Sequence, residues 1–244
     1  MIAILTGYGI NADKELGEAF TAAGGSVEFV HLRDLIDDPS MLESFRILAF
    51  PGGFSFGDHI GSGTILGHMV KNHLQDAINQ LIQRDGLVLG ICNGFQTLVK
   101  MGLLPNTQGD WSNEASLISN ESGLFIDDWV GLTVNTLNPS PWIRNMPDFD
   151  CPIRHGEGKF IYAGMNAELK ELPKELVAFR YQDNPNGSQD DIAGITDPSG
   201  RVLGMMPHPE AFIRGEQHPR RLKTSQGAGL SLFRNAVAYV SSDK

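Results

Sequence analysis

Gly86-Leu87-Val88-Leu89-Gly90-Ile91-Cys92-Asn93-Gly94-Phe95-Gln96-Thr97-Leu98 is the stretch that decides how this chain reads. An apolar run suited to a buried strand meets a cysteine set between two glycines. A helix-permissive segment follows and ends near Gly102. Strand, sharp turn and helix in that order, with Cys92 at the apex, match the Gly-x-nucleophile-x-Gly elbow. Small flanking residues there let the chain turn tightly enough to expose the reactive atom. A helix N-terminus beside a sulfur favours the anionic, nucleophilic form. The competing reading is a free cysteine packed as a small hydrophobe.

The segments before the elbow alternate between strand and helix patterns. Strands are predicted at Ile2–Thr6, 27–30, Ile47–Phe50 and 86–91. Asn11 or Asp13 is placed to cap a helix running to about Ala23, which Gly24-Gly25 would end. The polar segment 34–44 suits a short helix, and helical periodicity resumes over 64–84. Such alternation predicts an α/β fold with a mostly parallel, doubly wound sheet and flanking helices. Ligands in such sheets bind beyond the carboxyl ends of the strands, where the Cys92 turn and Pro51-Gly52-Gly53 both lie. From 116 to about 153, short strands separated by Asn, Pro and Gly clusters predict an antiparallel insertion or extension. Further strands are expected at 176–181, Ile192–Thr196 and 202–206. A closing amphipathic helix at 227–240 carries Leu230, Phe233, Val237 and Val240 on one face.

The chain has 244 residues, 41% of them hydrophobic and 20% charged, which suits one soluble domain over 1–244. The formal net charge of -10 gives no basic field to attract nucleic acid or anionic lipid. The two cysteines, Cys92 and Cys151, make no disulfide framework and suit a reducing compartment. No apolar stretch is long enough to span a bilayer, and the N-terminus lacks a signal-peptide pattern. The expected location is the cytoplasm.

A nucleophilic thiol needs a base, and the base needs an orienting group. Two pairs compete, His155-Gly156-Glu157 and His208-Pro209-Glu210. Residues two apart in extended backbone point to one side, and Pro209 disfavours helical geometry at His208. The position of the second pair after the 202–206 strand favours it, with Glu210 holding the imidazole. The first pair, among glycines, suits a flexible loop. Either histidine also has a plain packing role open to it. No third ligand at regular spacing stands out, so no metal is expected. Backbone N–H groups of Asn93, after the nucleophile, and of the Gly52-Gly53 turn suit an oxyanion.

Gly90-Ile91-Cys92-Asn93-Gly94-Phe95-Gln96 and His208-Pro209-Glu210 resemble the triad-type (class I) glutamine amidotransferases. Four further motifs narrow the resemblance. They are 51–58 (Pro-Gly-Gly-Phe-Ser-Phe-Gly-Asp), 155–159 (His-Gly-Glu-Gly-Lys), 184–188 (Asn-Pro-Asn-Gly-Ser) and 205–210 (Met-Met-Pro-His-Pro-Glu). Together they are similar to the branch that serves as glutaminase component of phosphoribosylformylglycinamidine synthase, in purine biosynthesis.

The resemblance implies hydrolysis of L-glutamine, with Cys92 attacking the side-chain amide to form a thioester. It makes His208 the proton shuttle and Glu210 its orienting carboxylate. Gly53 and Asn93 would supply oxyanion N–H groups, and Gly52 and Gln96 would lie at the substrate. His155, Glu157, Asn184 and Asn186 enter as motif positions without an assigned step. No cofactor is implied for this chain. ATP and magnesium belong to a separate synthase subunit that receives the ammonia, with a third small subunit as a further partner.

The chain departs from the family pattern at His59-Ile60-Gly61, where an aromatic, an aliphatic and an arginine are usual. Ala211 stands where arginine is frequent, and the segment before Asn184 is short. The alternatives are a glutaminase component serving another acceptor, or a non-catalytic regulatory module on the same fold.

Overall fold

Wholly apolar runs of four or five residues become the centre of a sheet, as their burial requires. In the computed structural model, which describes residues 1–163 and 171–242, β3 (Ile47–Phe50) and β4 (Leu87–Ile91) are buried at every position. They lie among β1 (Ile2–Thr6), β2 (Val27–His31) and β11 (Val202–Met205), and these five strands run parallel. Beyond β11 the sheet continues antiparallel through β10 (Ile192–Thr196), β9 (Val177–Tyr181), β6 (Ile126–Val134) and β7 (Phe149–His155). The nine-strand order is β2-β1-β3-β4-β11-β10-β9-β6-β7.

The chain between the elbow and β9 makes both an extension and a separate piece. β6 and β7 extend the main sheet, whereas β5 (Ala115–Ser119) pairs with β8 (Glu157–Tyr162) as a two-stranded antiparallel ribbon. His155 ends β7 and Glu157 begins β8. That segment is therefore a corner between two sheets and not a flexible loop.

Helices cover the sheet through periodic apolar faces. α1 is Asp13–Ala22, α2 is Leu32–Asp37, α3 is Thr64–Gln83, α4 is Asn93–Lys100 and α5 is Leu230–Ser241. In α3 the buried Leu66, Val70, Leu74, Ile78 and Leu81 recur at helical spacing. In α5, Leu230 and Phe233 are buried while Val237 and Val240 pack partly buried against the same core. Phe233 meets Phe20 of α1 edge-on at 5.0 Å.

The expected side-chain cap of α1 is absent. Its N-cap is Ala12, with no side-chain bond. The N–H groups of Asn11 and Ala12 instead donate to the Gly52 carbonyl, at 3.3 and 3.2 Å. The helix start is thus tied to the turn after β3. Among the described residues, no helix is long and apolar enough to cross a membrane.

Candidate functional site

The register places three strand ends side by side. Phe50 pairs with Gly90, and Ile91 pairs with Met205, so the residues that follow leave the sheet at one edge. Those residues are Pro51-Gly52-Gly53, Cys92, and Met206-Pro207-His208.

Cys92 carries the turn in its own backbone, with φ +52° and ψ -108°. A non-glycine residue held there stores on the order of 1–3 kcal/mol, and such strain collects at functional sites. The flanking glycines serve a different need, which is room. A Cβ on Gly94 would lie 1.9 Å from the Phe50 carbonyl oxygen, and one on Gly90 would lie 2.7 Å from the Gly94 carbonyl oxygen. Strand and helix therefore close to backbone contact, and the cysteine alone takes the unusual dihedrals.

Gly52 stands beside both reacting groups. A Cβ there would lie 3.0 Å from His208 Cε1 and 3.5 Å from Cys92 Cβ. Its carbonyl accepts from Asn11 and Ala12, so the trans peptide turns the Gly53 N–H in the opposite direction. The bridge between Ile10 and Gly53 uses the amides of Asn11 and Phe54 and leaves that of Gly53 outside it. The Asn93 N–H opens α4, where no helical acceptor exists for it.

His208 and Glu210 meet across a single 3-10 turn, Pro209–Ala211, and not along extended backbone. His208 Nδ1 lies 2.6 Å from Glu210 Oε1, with both side chains buried. Held by that carboxylate, Nδ1 carries a proton, which leaves the buried Nε2 to face Cys92. Burial disfavours the imidazolium, but the charges of Glu210 and Cys92 outweigh it and hold the His208 pKa above its ordinary value.

Arg154, which the sequence reading did not single out, joins this pair. Its Nη2 lies 3.5 Å from His208 Nδ1, 4.0 Å from Glu210 Oε1 and 2.6 Å from Glu15 Oε2. Its carbonyl oxygen lies 3.6 Å from Cys92 Sγ.

The second His-x-Glu pair is no dyad. Asn120 donates through Nδ2 to the carbonyls of Leu124 and His155, which leaves its Oδ1, 3.0 Å away, to accept from His155 Nδ1. Glu157 turns elsewhere: its Oε2 accepts from the Ser62 N–H at 3.1 Å, and its carbonyl accepts from Gln96 Nε2. Burial, then repulsion from His208, lowers the His155 pKa to about 4. That ring is neutral at pH 7, with Nε2 a bare acceptor.

A cavity of about 220 Å³ opens onto Cys92, His208 and Gly53, with Gln96, His155 and Glu157 in its wall. Asp58, which closes the 51–58 motif, also lines it, as do Ser62, Arg154 and Phe125, which were not picked out from the sequence. Asn93 does not reach the wall with its side chain. That amide accepts from the Ser55 N–H and donates to Asp58 and Gln96, locking the floor. Asn184 and Asn186 stand behind the site. Asn186 donates to the Gly158 carbonyl at 2.8 Å, and Asn184 Oδ1 gathers the amides of residues 186–188. Among the described residues, no group of three or more His, Cys, Asp or Glu is arranged to hold a metal ion.

This constellation has close parallels. The sequence matches the family described as CobB/CobQ-like glutamine amidotransferase domain across residues 1–240. It is 41% identical to phosphoribosylformylglycinamidine synthase subunit PurQ of Dehalococcoides mccartyi, over 97% of this chain and 96% of that one. The PurQ subunit of Methanococcus maripaludis is 33% identical, over 98% of this chain and 96% of that one. Among solved structures, that of PurLQS from Thermotoga maritima superposes with a TM-score of 0.76 at 29% identity, covering 98% of both chains. A strained cysteine between two glycines, facing a carboxylate-held histidine on this sheet, thus comes with full-length sequence agreement, and the chain belongs to the CobB/CobQ-like glutamine amidotransferase family.

Proposed function

We propose that this chain is the glutaminase subunit of a phosphoribosylformylglycinamidine synthase, releasing ammonia from L-glutamine for a separate synthase subunit. The observation that carries the chemistry is the 2.6 Å contact of His208 with Glu210, set beside Gly52 and the strained Cys92. Near full-length likeness to PurQ subunits supports the choice of acceptor pathway. The sheet that spans residues 2–205 supports one domain over 1–244.

In this reading Cys92 Sγ attacks the side-chain amide carbon, and His208 takes the thiol proton. The Gly53 and Asn93 N–H groups receive the oxyanion, each such donor being worth about 3–4 kcal/mol. His208 Nε2 then protonates the departing nitrogen, which leaves as ammonia, and a glutamyl thioester remains. Water attacks the thioester, with its proton going to His208, and glutamate leaves. Glu210 holds the ring and balances its charge throughout. Gln96 and Gly52 shape the substrate site, while ATP and magnesium act on the synthase partner. A third small subunit completes the assembly, as the neighbour named PurLQS suggests.

The test is reconstitution with the synthase. Cys92→Ala is expected to abolish glutamine-dependent synthesis while free ammonia still supports it. Full glutamine-dependent activity in that variant would remove the catalytic reading. Equal loss of both activities would make Cys92 structural.

A further inference from the structure

Glu15, Arg154, His208 and Glu210 make a row of alternating charge whenever the imidazole is protonated. Glu15 comes from the first turn of α1, Arg154 from the end of β7, and the other two from the turn after β11. Arg154 Nη2 lies 2.6 Å from Glu15 Oε2, 3.5 Å from His208 Nδ1 and 4.0 Å from Glu210 Oε1. The 3.5 Å approach is not a hydrogen bond. Nδ1 gives its proton to Glu210 Oε1, and a guanidinium has only donors. Once His208 is charged, two cations face each other with one carboxylate beside both.

The Glu15 bond decides where the guanidinium stands. α1 is fixed to the turn after β3, through the Asn11 and Ala12 amides on the Gly52 carbonyl. Glu15 thus keeps Nη2 at hydrogen-bond distance, while Glu210 Oε1 stays beyond it at 4.0 Å and remains with Nδ1. Burial lowers the Arg154 pKa, but the bond and charge of Glu15, then the charges of Glu210 and Cys92, outweigh it and raise it. Such coupling is mutual, so the guanidinium favours those anions and disfavours the imidazolium.

We infer that Arg154 is a positioning residue for the His208–Glu210 pair. Held off by Glu15, its charge weakens the grip of His208 on the proton that the ring delivers to the departing nitrogen, and it leaves the Glu210 oxygen to the ring. The delivery step rests on the glutaminase reading; the charge arrangement does not. The other ionisable groups around the ring do not take over this role. From β7, His155 is neutral at pH 7, and burial, then Glu210, keeps Cys151 a thiol. From β9, burial, then the charge of Cys151, keeps Tyr181 a neutral phenol. Asp58 and Glu157 in the cavity wall are acidic.

The test follows the His208 ring by NMR, through the pH dependence of its Cε1–H signal, identified by its loss in His208→Gln. The full chain carries Cys92→Ala, so that loss of the sulfur charge brings the titration to lower pH. Arg154→Gln is expected to move the midpoint up by about 0.5–1 pH unit. A charge within about 4–6 Å shifts a neighbour by about 1–3 units, and here Glu15 and a side chain 36% exposed screen it. Arg154→Lys should recover at least about half of the difference. Glu15→Gln should move the midpoint down, and the double variant with Arg154→Gln should follow Arg154→Gln alone. General loosening would carry every midpoint down towards the ordinary value of about 6.5, the opposite sign for Arg154→Gln. With Cys92 restored and the synthase present, Arg154→Gln should lower kcat for glutamine about 2- to 10-fold and leave KM within about twofold. An unmoved or lowered midpoint in Arg154→Gln would overturn the inference. So would a raised KM with unchanged kcat, which would make Arg154 a substrate contact. Midpoints that move as expected in a chain that turns over no glutamine, even with the synthase, would refute the glutaminase reading and the delivery step with it.

Discussion

Gly52→Ala separates catalytic geometry from folding. The new methyl would lie 3.0 Å from His208 Cε1, whereas ordinary contact begins at 3.4 Å, so the ring must recede by at least about 0.4 Å. Its other neighbours, Cys92 Cβ at 3.5 Å and Ala12 Cβ at 3.7 Å, are at normal distance. Gly52 is also absent from the positive-φ positions, so alanine meets no backbone strain. Misplacing a reacting group by about 1 Å costs on the order of 10²-fold, and working sites tolerate only about 0.5 Å. We expect kcat/KM for glutamine to fall about 10- to 100-fold, or about 1.4–2.7 kcal/mol of transition-state stabilisation. Stability should hold or rise slightly, because alanine restricts the unfolded chain by about 0.4–1 kcal/mol relative to glycine. The assays are glutamine-dependent synthesis with the partner and a thermal melt of the same preparation. Gly94→Ala is the contrast: its methyl would lie 1.9 Å from backbone oxygen of Phe50, so that variant should lose stability itself. Wild-type turnover in Gly52→Ala would refute the idea that the bare space between Cys92 and His208 is part of the machinery.

Three more outcomes follow from the same contacts. Glu210→Gln removes the larger of the two charges that raise the His208 pKa and leaves Cys92 alone to oppose burial, so glutamine turnover should drop about 10²- to 10⁴-fold; an unshifted pH profile with full turnover would contradict this. His155 is neutral in the fold, with its pKa lowered to about 4 against an ordinary 6.5. Its contribution is therefore complete above pH 6.5 and lost as pH falls towards 4, about 3 kcal/mol in all. Denaturant midpoints should accordingly show a steeper loss over that window in wild type than in His155→Gln, and equal slopes would disprove it. Finally, His208→Ala should suppress thioester formation far more than His155→Ala, measured by Cys92 trapping, and the reverse order would exchange the roles of the two histidines.

What could be read from the chain was what its near neighbours decide. Continuous apolar runs made Ile47–Phe50 and Ile192–Thr196 recognisable as strands at their true limits. The elbow was readable because one glycine on each side of Cys92 is a local requirement, although its reason proved to be space and not dihedral freedom. The cap of α1 was misjudged because the decision is not local: Gly52, some forty residues on, accepts from the Asn11 and Ala12 amides and so fixes the backbone that leads into the helix. The ribbon of β5 and β8 was missed on the same ground, since Ala115 finds its partner at Tyr162.

The choice between the two His-x-Glu pairs shows where sequence spacing stops being informative. Both pairs have the same spacing, and both histidines are buried beside the cavity. The difference lies in what each Nδ1 meets. For His208 it is the carboxylate two residues on, which stabilises positive charge; for His155 it is the neutral amide of Asn120, from another strand end. A carboxylate makes the ring a better base, whereas an amide only fixes its tautomer. Glu157, freed from its neighbouring histidine, is turned to Ser62 and towards Asp58 instead. The same short motif therefore supplies a proton carrier in one place and a wall of acceptors in the other, according to which residues the topology brings alongside.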